Sequence, residues 1–422
     1  MNGKGYRLIV LITLLLSSAL IMTSCLSLGV TDALTKGQIQ QMIDNSMTGN
    51  VTVEGGDNFD VTINASSQEN VIAAKALLSA VSVRCKFEII VSGSTFPPIA
   101  SSIQEQASAG SGVIYKLNKG QGDAYVITNY HVVHHAQSTS TNGIAHTIEL
   151  YLYGQEDQMY AIPATYVGGS MEYDIAVLKV KGSRVLAESN AAEATFADSD
   201  NISVLDQAIA VGNPEDLGLS ATLGHVSVDS EYITMNASDG LSVVQQRVIR
   251  IDTPINSGNS GGGLFNSSGE VIGIVNAKLM SSENMGYALP SSFVKYVAEN
   301  IIYYCDGTQY ENVYRCYLGI EVRASKMYTV YDLDTGKVLK REEVSVSKLT
   351  DGGLAIGKLQ VGDVINSITI DGVKYDTVRL HSVTDPMLNA RVGSVVVVNV
   401  TRDGVVMDVA ITISNASLTM IK

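Results

Sequence analysis

Three residues far apart in the chain have the side chains and the settings for nucleophilic chemistry at a carbonyl: His131, Asp174 and Ser260. Of six histidines, His131 alone stands in an informative place, after the run Ala124–Thr128 and Asn129-Tyr130 and before Val132-Val133. Asp174 opens the apolar run Ile175-Ala176-Val177-Leu178. An unpaired carboxylate there would be costly to bury, so it needs a donor such as an imidazole N–H. Ser260 lies in Asn256-Ser257-Gly258-Asn259-Ser260-Gly261-Gly262. Its glycines permit a tight turn that exposes a hydroxyl and aims backbone N–H groups at an oxyanion. A hydroxyl, an imidazole to take its proton and a carboxylate to orient the imidazole make an activated nucleophile.

These residues need a rigid frame. From about residue 75 to 290 the chain is a series of short β-branched runs separated by Gly, Asn and Ser: SGVIYKL, AYVITNYHVV, TIELYLYG, YDIAVLKV, QAIAVG, VVQQRVIRID and VIGIVNA. Such regular short strands predict an all-β sandwich or barrel, not alternating β-α units. Phe293, Val297 and Ile301 recur on one helical face of Ser291–Tyr304, a closing helix. A second domain from Tyr317 carries its own strands, a helix-like segment near Val378–Leu388 and a turn at Arg402-Asp403-Gly404. The charged stretch Asp332–Glu343 reads as a solvated hairpin around Gly336. Upstream, Thr31–Asn70 is a polar tether with two strand-like pieces around Gly55-Gly56, and Gln68–Ala80 has helical spacing. No repeat at a fixed period appears, which excludes solenoids and propellers.

The 422 residues carry 28 Lys plus Arg against 42 Asp plus Glu, a formal charge of −14. That sign argues against nucleic acid as a partner. Four Cys without a C-x-x-C pair exclude a disulfide scaffold, a structural zinc site and a redox dithiol. At the N-terminus Lys4 and Arg7 precede an uncharged stretch from Leu8 to Met22 and then Thr23-Ser24-Cys25, the order of a secretory signal. Thr23-Ser24-Cys25 resembles the lipobox of bacterial lipoproteins, which would make Cys25 a lipidation site. The alternative is a signal anchor, since the uncharged stretch runs on to Val30. Either places the body outside the cytoplasm, held to the membrane through its N-terminus only.

The order His, Asp, Ser is that of chymotrypsin-type serine proteases, which are β-barrel enzymes. T-N-Y-H-V-V, Y-D-I-A-V-L-K-V, A-V-G-N-P (Ala210–Pro214), N-S-G-N-S-G-G and G-Y-A-L-P (Gly286–Pro290), in this order, resemble the HtrA (Deg) protease family. Tyr317-Leu318-Gly319-Ile320 is similar to the carboxylate-binding loop of a PDZ domain, and Val361-Gly362-Asp363-Val364-Ile365 to that domain's G-D-x-I strand. The resemblance covers residues from about 80 to 420. It implies a mainly β chain: a chymotrypsin-like double β-barrel followed by a PDZ-like α+β domain. The implied division is a signal or anchor at 1–25, a tether at 26–75, a protease domain at 76–303 and a PDZ-like domain at 304–422.

On this resemblance Ser260 attacks the peptide carbonyl, His131 takes and returns its proton, and Asp174 holds the imidazole tautomer. The oxyanion hole falls on the N–H groups of Gly258 and Ser260, with Asn259 shaping the turn between them. The specificity pocket falls on Ile255, Lys278 and Leu279, implying a small aliphatic residue at the cleaved position. Asp252 holds a structural position in the family, so Asp174 is the expected acid. Gly263 stands where Pro or Ala is usual, Lys278 is polar in an apolar wall, and the PDZ-like region lacks S-P-A-A-x-A-G-L, having Thr350–Leu359 instead. The implied function is that of an extracytoplasmic endopeptidase acting on unfolded or misfolded proteins, with C-terminal peptides as ligands of the PDZ-like domain. A homotrimer and no cofactor or metal are implied. A binding or chaperone module on an inactive protease scaffold is the alternative.

His131 and His135, four apart, superficially resemble a zinc-binding pair, but no Glu is present to act as base and the β-branched neighbours predict strand. The other five histidines, His381 among them, read as surface residues. Cys305 and Cys316 flank the junction between domains and could close a disulfide in an oxidising compartment or stand as two thiols. Cys85 reads as a buried small hydrophobe.

Overall fold

The computed structural model describes residues 51–53, 61–63, 68–91, 102–278 and 285–421. The signal segment and Cys25 lie outside them. The chain forms two units, residues 1–75 and 76–422. In the first, β1 (Val51–Val53) and β2 (Val61–Ile63) pair antiparallel, and helix α1 (Gln68–Ser79) begins.

The second unit opens with β3 (Ala80–Val91), β4 (Ser102–Asn118), β5 (Asp123–Thr128), β6 (Thr147–Leu152), β7 (Ile162–Ser170) and β8 (Ile175–Val180). They close into a barrel in the order β3-β4-β5-β8-β7-β6. Alternation explains the closure: Val81, Val83, Cys85 and Phe87, every second residue of β3, are fully buried with Ile114, Val126, Leu150 and Leu178. Each such aliphatic or aromatic side chain contributes about 1.5–3 kcal/mol.

A second barrel follows, β9 (Gln207–Gly212), β10 (Ser220–Asn236), β11 (Val243–Ile251), β12 (Gly263–Phe265), β13 (Val271–Lys278) and β14 (Gly286–Pro290). Its order is β10-β11-β14-β13-β12-β9, around Ala210, Val226, Ile249, Ile251, Leu264 and Val275.

Two short helices interrupt the strands: α2 (Tyr130–Val133) between β5 and β6, and α3 (Arg184–Glu188) between the two barrels. The sequence predicts strand around His131; the structure has a single helical turn there. Val132 and Val133 are both buried, and a turn can bury two consecutive side chains that a strand would send to opposite faces. The closing helix α4 (Ser291–Cys305) buries Val294, Val297, Ala298 and Ile301 and packs on β7, β8 and β13.

The remainder is a smaller α+β region. A sheet ordered β16-β17-β18-β20-β21, with β19 on β18, is built from β16 (Ile320–Tyr331), β17 (Val338–Leu349), β18 (Val364–Ile370), β19 (Val373–Asp376), β20 (Val395–Arg402) and β21 (Val405–Thr412). Strands β15 (Val313–Cys316) and β22 (Leu418–Ile421) pair separately. Helix α5 (His381–Thr384) and a 3-10 turn over Asp385–Asn389 complete it. The G-D-x-I motif has a structural reason: buried Asp363 takes a bidentate pair from Arg402 at 2.7 and 2.6 Å. That charge and those hydrogen bonds hold its carboxyl below the usual range.

Two expectations are corrected here. Asp332–Glu343 does lie on the β16–β17 hairpin, but it is not simply solvated: Lys337 pairs with Asp206 at 2.5 Å and Lys340 with Asp229 at 2.7 Å on the second barrel. His381 is buried rather than at the surface, its Nε2 2.9 Å from Asp200. Nearby, Arg247 joins Asp385 at 2.7 Å. These partners are more than a hundred residues apart, so no local pattern reveals them. Of the two readings open for the cysteine pair, the structure has the two thiols: Cys305 and Cys316 are free and each is buried. The Cys305 thiol faces Asn312 O at 3.3 Å and the Cys316 thiol Ala390 O at 3.5 Å, and burial pushes the Cys305 thiol up to about 12. Cys85 is buried in the first barrel, as expected.

Candidate active site

Asp174, the candidate acid, comes from the turn between β7 and β8. Asp174 has φ 52°, a left-handed conformation that Asp tolerates better than most residues. Its Oδ1 accepts the His131 backbone N–H at 2.9 Å and its Oδ2 lies 2.7 Å from His131 Nδ1. Both carboxylate oxygens therefore fix one residue, which settles the position of α2 and the plane of the imidazole. Asn129 Nδ2, fully buried, donates to Asp174 O at 2.8 Å and ties the start of α2 to the same turn. Asp252 is engaged elsewhere: it is exposed and accepts the His225 N–H at 2.6 Å.

Burial pushes His131 toward its neutral form, but the adjacent Asp174, by charge and hydrogen bond, outweighs it, so the imidazole titrates above the usual histidine range. A base must be neutral to accept a proton. Activity is therefore expected to be lost as pH falls through that value and to rise with a one-proton slope to a midpoint above about 6.5. A kcat/KM profile from pH 5 to 9 checks this, and a flat one between pH 5 and 8 would exclude His131 as the base.

Ser260 sits on the turn between β11 and β12. Gly261 holds it against the histidine segment: it has φ 84°, and a Cβ there would lie 2.3 Å from Thr128 Oγ1 and 3.1 Å from Asn129 N. The serine hydroxyl donates to Asn276 O at 3.1 Å. No hydrogen bond joins it to His131, whose side chain is 35% exposed.

The carbonyls around Ser260 are all engaged. Ser257 O accepts from Glu215 N at 2.8 Å, Asn259 O from Gly262 N at 3.0 Å, Gly258 O from Ser111 Oγ at 2.7 Å and Ser260 O from Ser111 N at 2.8 Å. Asn259 N donates to Asn256 O at 3.1 Å and Gly261 N to Val275 O at 2.8 Å. Four successive carbonyls are pinned. The N–H groups of Gly258 and Ser260, on either side of the pinned Gly258 carbonyl, have no partner among the described residues and are the pair an oxyanion would use. Gly258 is required by geometry: with φ 95°, a Cβ would lie 2.1 Å from Asn213 O. Asn259, assigned to shape this turn, is buried.

The loop behind the turn is strained. Glu215 and Asp216 have φ 56° and 57°, a conformation costing about 1–2 kcal/mol per residue. Arg84 clamps Asp216 through Nε at 2.9 and 3.1 Å, and Asn213 Nδ2 reaches the same carboxylate at 2.9 Å.

Of the expected pocket, Ile255 is buried and lies against Gly286. Lys278 ends β13 opposite Gly286, and Leu279 lies outside the described residues. Of the expected peptide loop, Tyr317 is half-exposed, Leu318 is buried, Gly319 has φ 78° with its Cα tight against Gly353, and Ile320 begins β16. β16 pairs with β17 on one side only, which makes it an edge strand. No cluster of three His, Cys, Asp or Glu suited to a metal ion occurs among the described residues. Sequence reasoning missed Ser111, Asn213 and Asn276, polar residues fully or almost fully buried around Ser260. Gly110-Ser111-Gly112 interrupts a β-branched strand and Asn213 stands in A-V-G-N-P, but nothing local marks either as buried beside the serine.

Residues 110–274 match the trypsin-like peptidase domain. The serine protease Do-like HtrA of Lactococcus lactis subsp. cremoris (strain MG1363) is 34% identical over 246 residues, 56% of this chain and 55% of that one. Its namesake in Lactobacillus helveticus is 30% identical over 323 residues, 73% of this chain and 68% of the other. The chain belongs to the HtrA family of serine proteases. The periplasmic pH-dependent serine endoprotease DegQ of Escherichia coli (strain K12) is 32% identical over 265 residues, 61% of this chain and 50% of DegQ. Among solved structures, the HtrA-type protease AlgW with a decapeptide is 25% identical, covering 82% of this chain and 98% of its own at a TM-score of 0.49. The chain spans about half the length of most curated HtrA relatives it matches, 55% and 48% of the two Lactococcus proteins.

Proposed function

We propose that this chain is an extracytoplasmic serine endopeptidase that degrades unfolded or misfolded proteins. Ser260 is the nucleophile, His131 the base, Asp174 the orienting acid, and Gly258 and Ser260 the oxyanion donors. The observation that carries the reading is the pairing of the His131–Asp174 dyad with a serine turn whose carbonyls from Ser257 to Ser260 are all engaged while the Gly258 and Ser260 N–H groups are left unengaged. Membership of the HtrA family supports it. Ile255 in the pocket favours a small aliphatic residue at the cleaved position. The free edge of β16 beside the Tyr317–Ile320 loop suits a C-terminal peptide adding as a strand. Anchoring through the N-terminal segment, by Cys25 or as a signal anchor, and a trimeric assembly complete the proposal.

The hydroxyl of Ser260 donating to Asn276 O, and not to His131, favours a second reading: a binding module, or an enzyme at rest until a ligand re-aims the serine. The test is β-casein degradation by the purified chain, with a serine-directed fluorophosphonate, with EDTA and with a C-terminal peptide library. Cleavage blocked by the fluorophosphonate and untouched by EDTA is the expected result. Cleavage only with peptide identifies a resting enzyme. Neither cleavage nor labelling under any condition leaves the binding module.

A further inference from the structure

Ser111, fully buried near the middle of β4, touches the serine turn and the strand end that leads to His131, although it reaches no substrate position itself. Its hydroxyl donates to Gly258 O at 2.7 Å and accepts the Asn213 N–H at 2.8 Å. Its own N–H donates to Ser260 O at 2.8 Å, and its carbonyl accepts the Thr128 hydroxyl at 2.7 Å, three residues before His131. One residue of the first barrel thus holds the two carbonyls that alternate with the free N–H groups of Gly258 and Ser260.

The consequence is directional. Peptide groups are planar, so fixing Gly258 O and Asn259 N at both ends of one peptide leaves no freedom to rotate it. The Gly258 and Ser260 N–H groups belong to the two peptides that flank it, so its orientation bears on theirs through the Gly258 and Asn259 dihedrals. Were the Gly258–Asn259 peptide to turn over, its carbonyl would point where the oxyanion must sit, and glycine at 258 sets almost no steric barrier to that rotation. The Ser111 hydroxyl is the one side-chain bond opposing it.

We propose that Ser111 is a positioning residue for oxyanion stabilisation, acting through the orientation of the Gly258–Asn259 peptide. The proposal rests on the serine-protease reading above. Removing the hydroxyl, as in Ser111→Ala, keeps both backbone bonds and so spares the barrel strand while freeing the peptide. Loss of one oxyanion donor typically costs about 10²- to 10³-fold in rate. Because the donor is misoriented part of the time and not deleted, kcat is expected to fall about 10- to 100-fold.

The experiment uses the full chain, wild type and Ser111→Ala, on a chromogenic peptide and with a peptide boronate. Active sites are counted by the endpoint of fluorophosphonate labelling. Expected are a 10- to 100-fold lower kcat per titrated site, KM within about threefold, boronate binding weakened by the same factor as kcat, and an unchanged pH midpoint. A damaged fold would instead reduce the number of titrated sites at normal kcat per site. That outcome, or kcat per site within twofold of wild type, overturns the proposal. A wild-type chain that is neither labelled nor active overturns the protease reading instead, so the two failures are separable. Ser111→Cys, nearly isosteric with a weak donor, is expected to fall between wild type and Ala.

Discussion

Ser260→Ala is expected to lower kcat on casein about 10⁶-fold, the scale seen when a nucleophile is removed from a triad that works as a unit. The substitution deletes one atom group and one hydrogen bond, Oγ to Asn276 O. None of the bonds that shape the turn uses the Ser260 side chain: Ser260 O accepts from Ser111 N, Gly261 N donates to Val275 O, and Gly258 O accepts from the Ser111 hydroxyl. Fold and thermal stability should hardly change, and the oxyanion donors stay in place, so a residual rate above that of water persists. Casein digestion resolved over days, with light-scattering assays of unfolded-protein binding alongside, reads both quantities. Loss of cleavage with binding intact would assign the chemistry to this serine. Cleavage surviving within a hundredfold would mean that another group attacks, and the triad assignment would fail.

The candidate site was legible because its residue types are rare in their settings. An Asp opening an apolar strand, a lone informative His and a Ser among four glycines stand out against β-branched strands. The strands themselves were legible because each barrel buries alternate side chains, as Val81, Val83, Cys85 and Phe87 show. What stayed hidden depends on tertiary context. The helical turn at His131 defeats propensity because Val132 and Val133 are buried together under the barrel. Ser111 looks like any turn serine until three chain segments meet on it. The buried His381–Asp200 pair and the Lys337–Asp206 and Lys340–Asp229 pairs join residues more than a hundred positions apart. Charge runs read locally as solvated faces when their partners lie so far away.

The same pairwise geometry sets the other large effect, that of Asp174→Asn. Asp174 offers two acceptors to two donors of His131, the backbone N–H at 2.9 Å and Nδ1 at 2.7 Å. Asparagine offers one acceptor and one NH₂. With its oxygen toward the backbone N–H, its NH₂ faces Nδ1, the imidazole proton moves to Nε2, and the base has no lone pair for the serine proton. With its oxygen toward Nδ1, its NH₂ meets the backbone N–H and the dyad opens. Either way kcat is expected to drop about 10⁴-fold at neutral pH. The fold should survive, because φ 52° at this position is one that Asn adopts readily. Asp252→Asn is the control: that carboxylate is bound to the His225 N–H, away from the site, and kcat should stay within about twofold of wild type, the effect of a change outside a catalytic unit. Steady-state kinetics on a chromogenic peptide, with sites counted by fluorophosphonate, compare the two variants. If Asp174→Asn keeps kcat within tenfold while Asp252→Asn loses it, the acid has been misassigned, and the His131–Asp174 bond is only a strut between α2 and the β7–β8 turn.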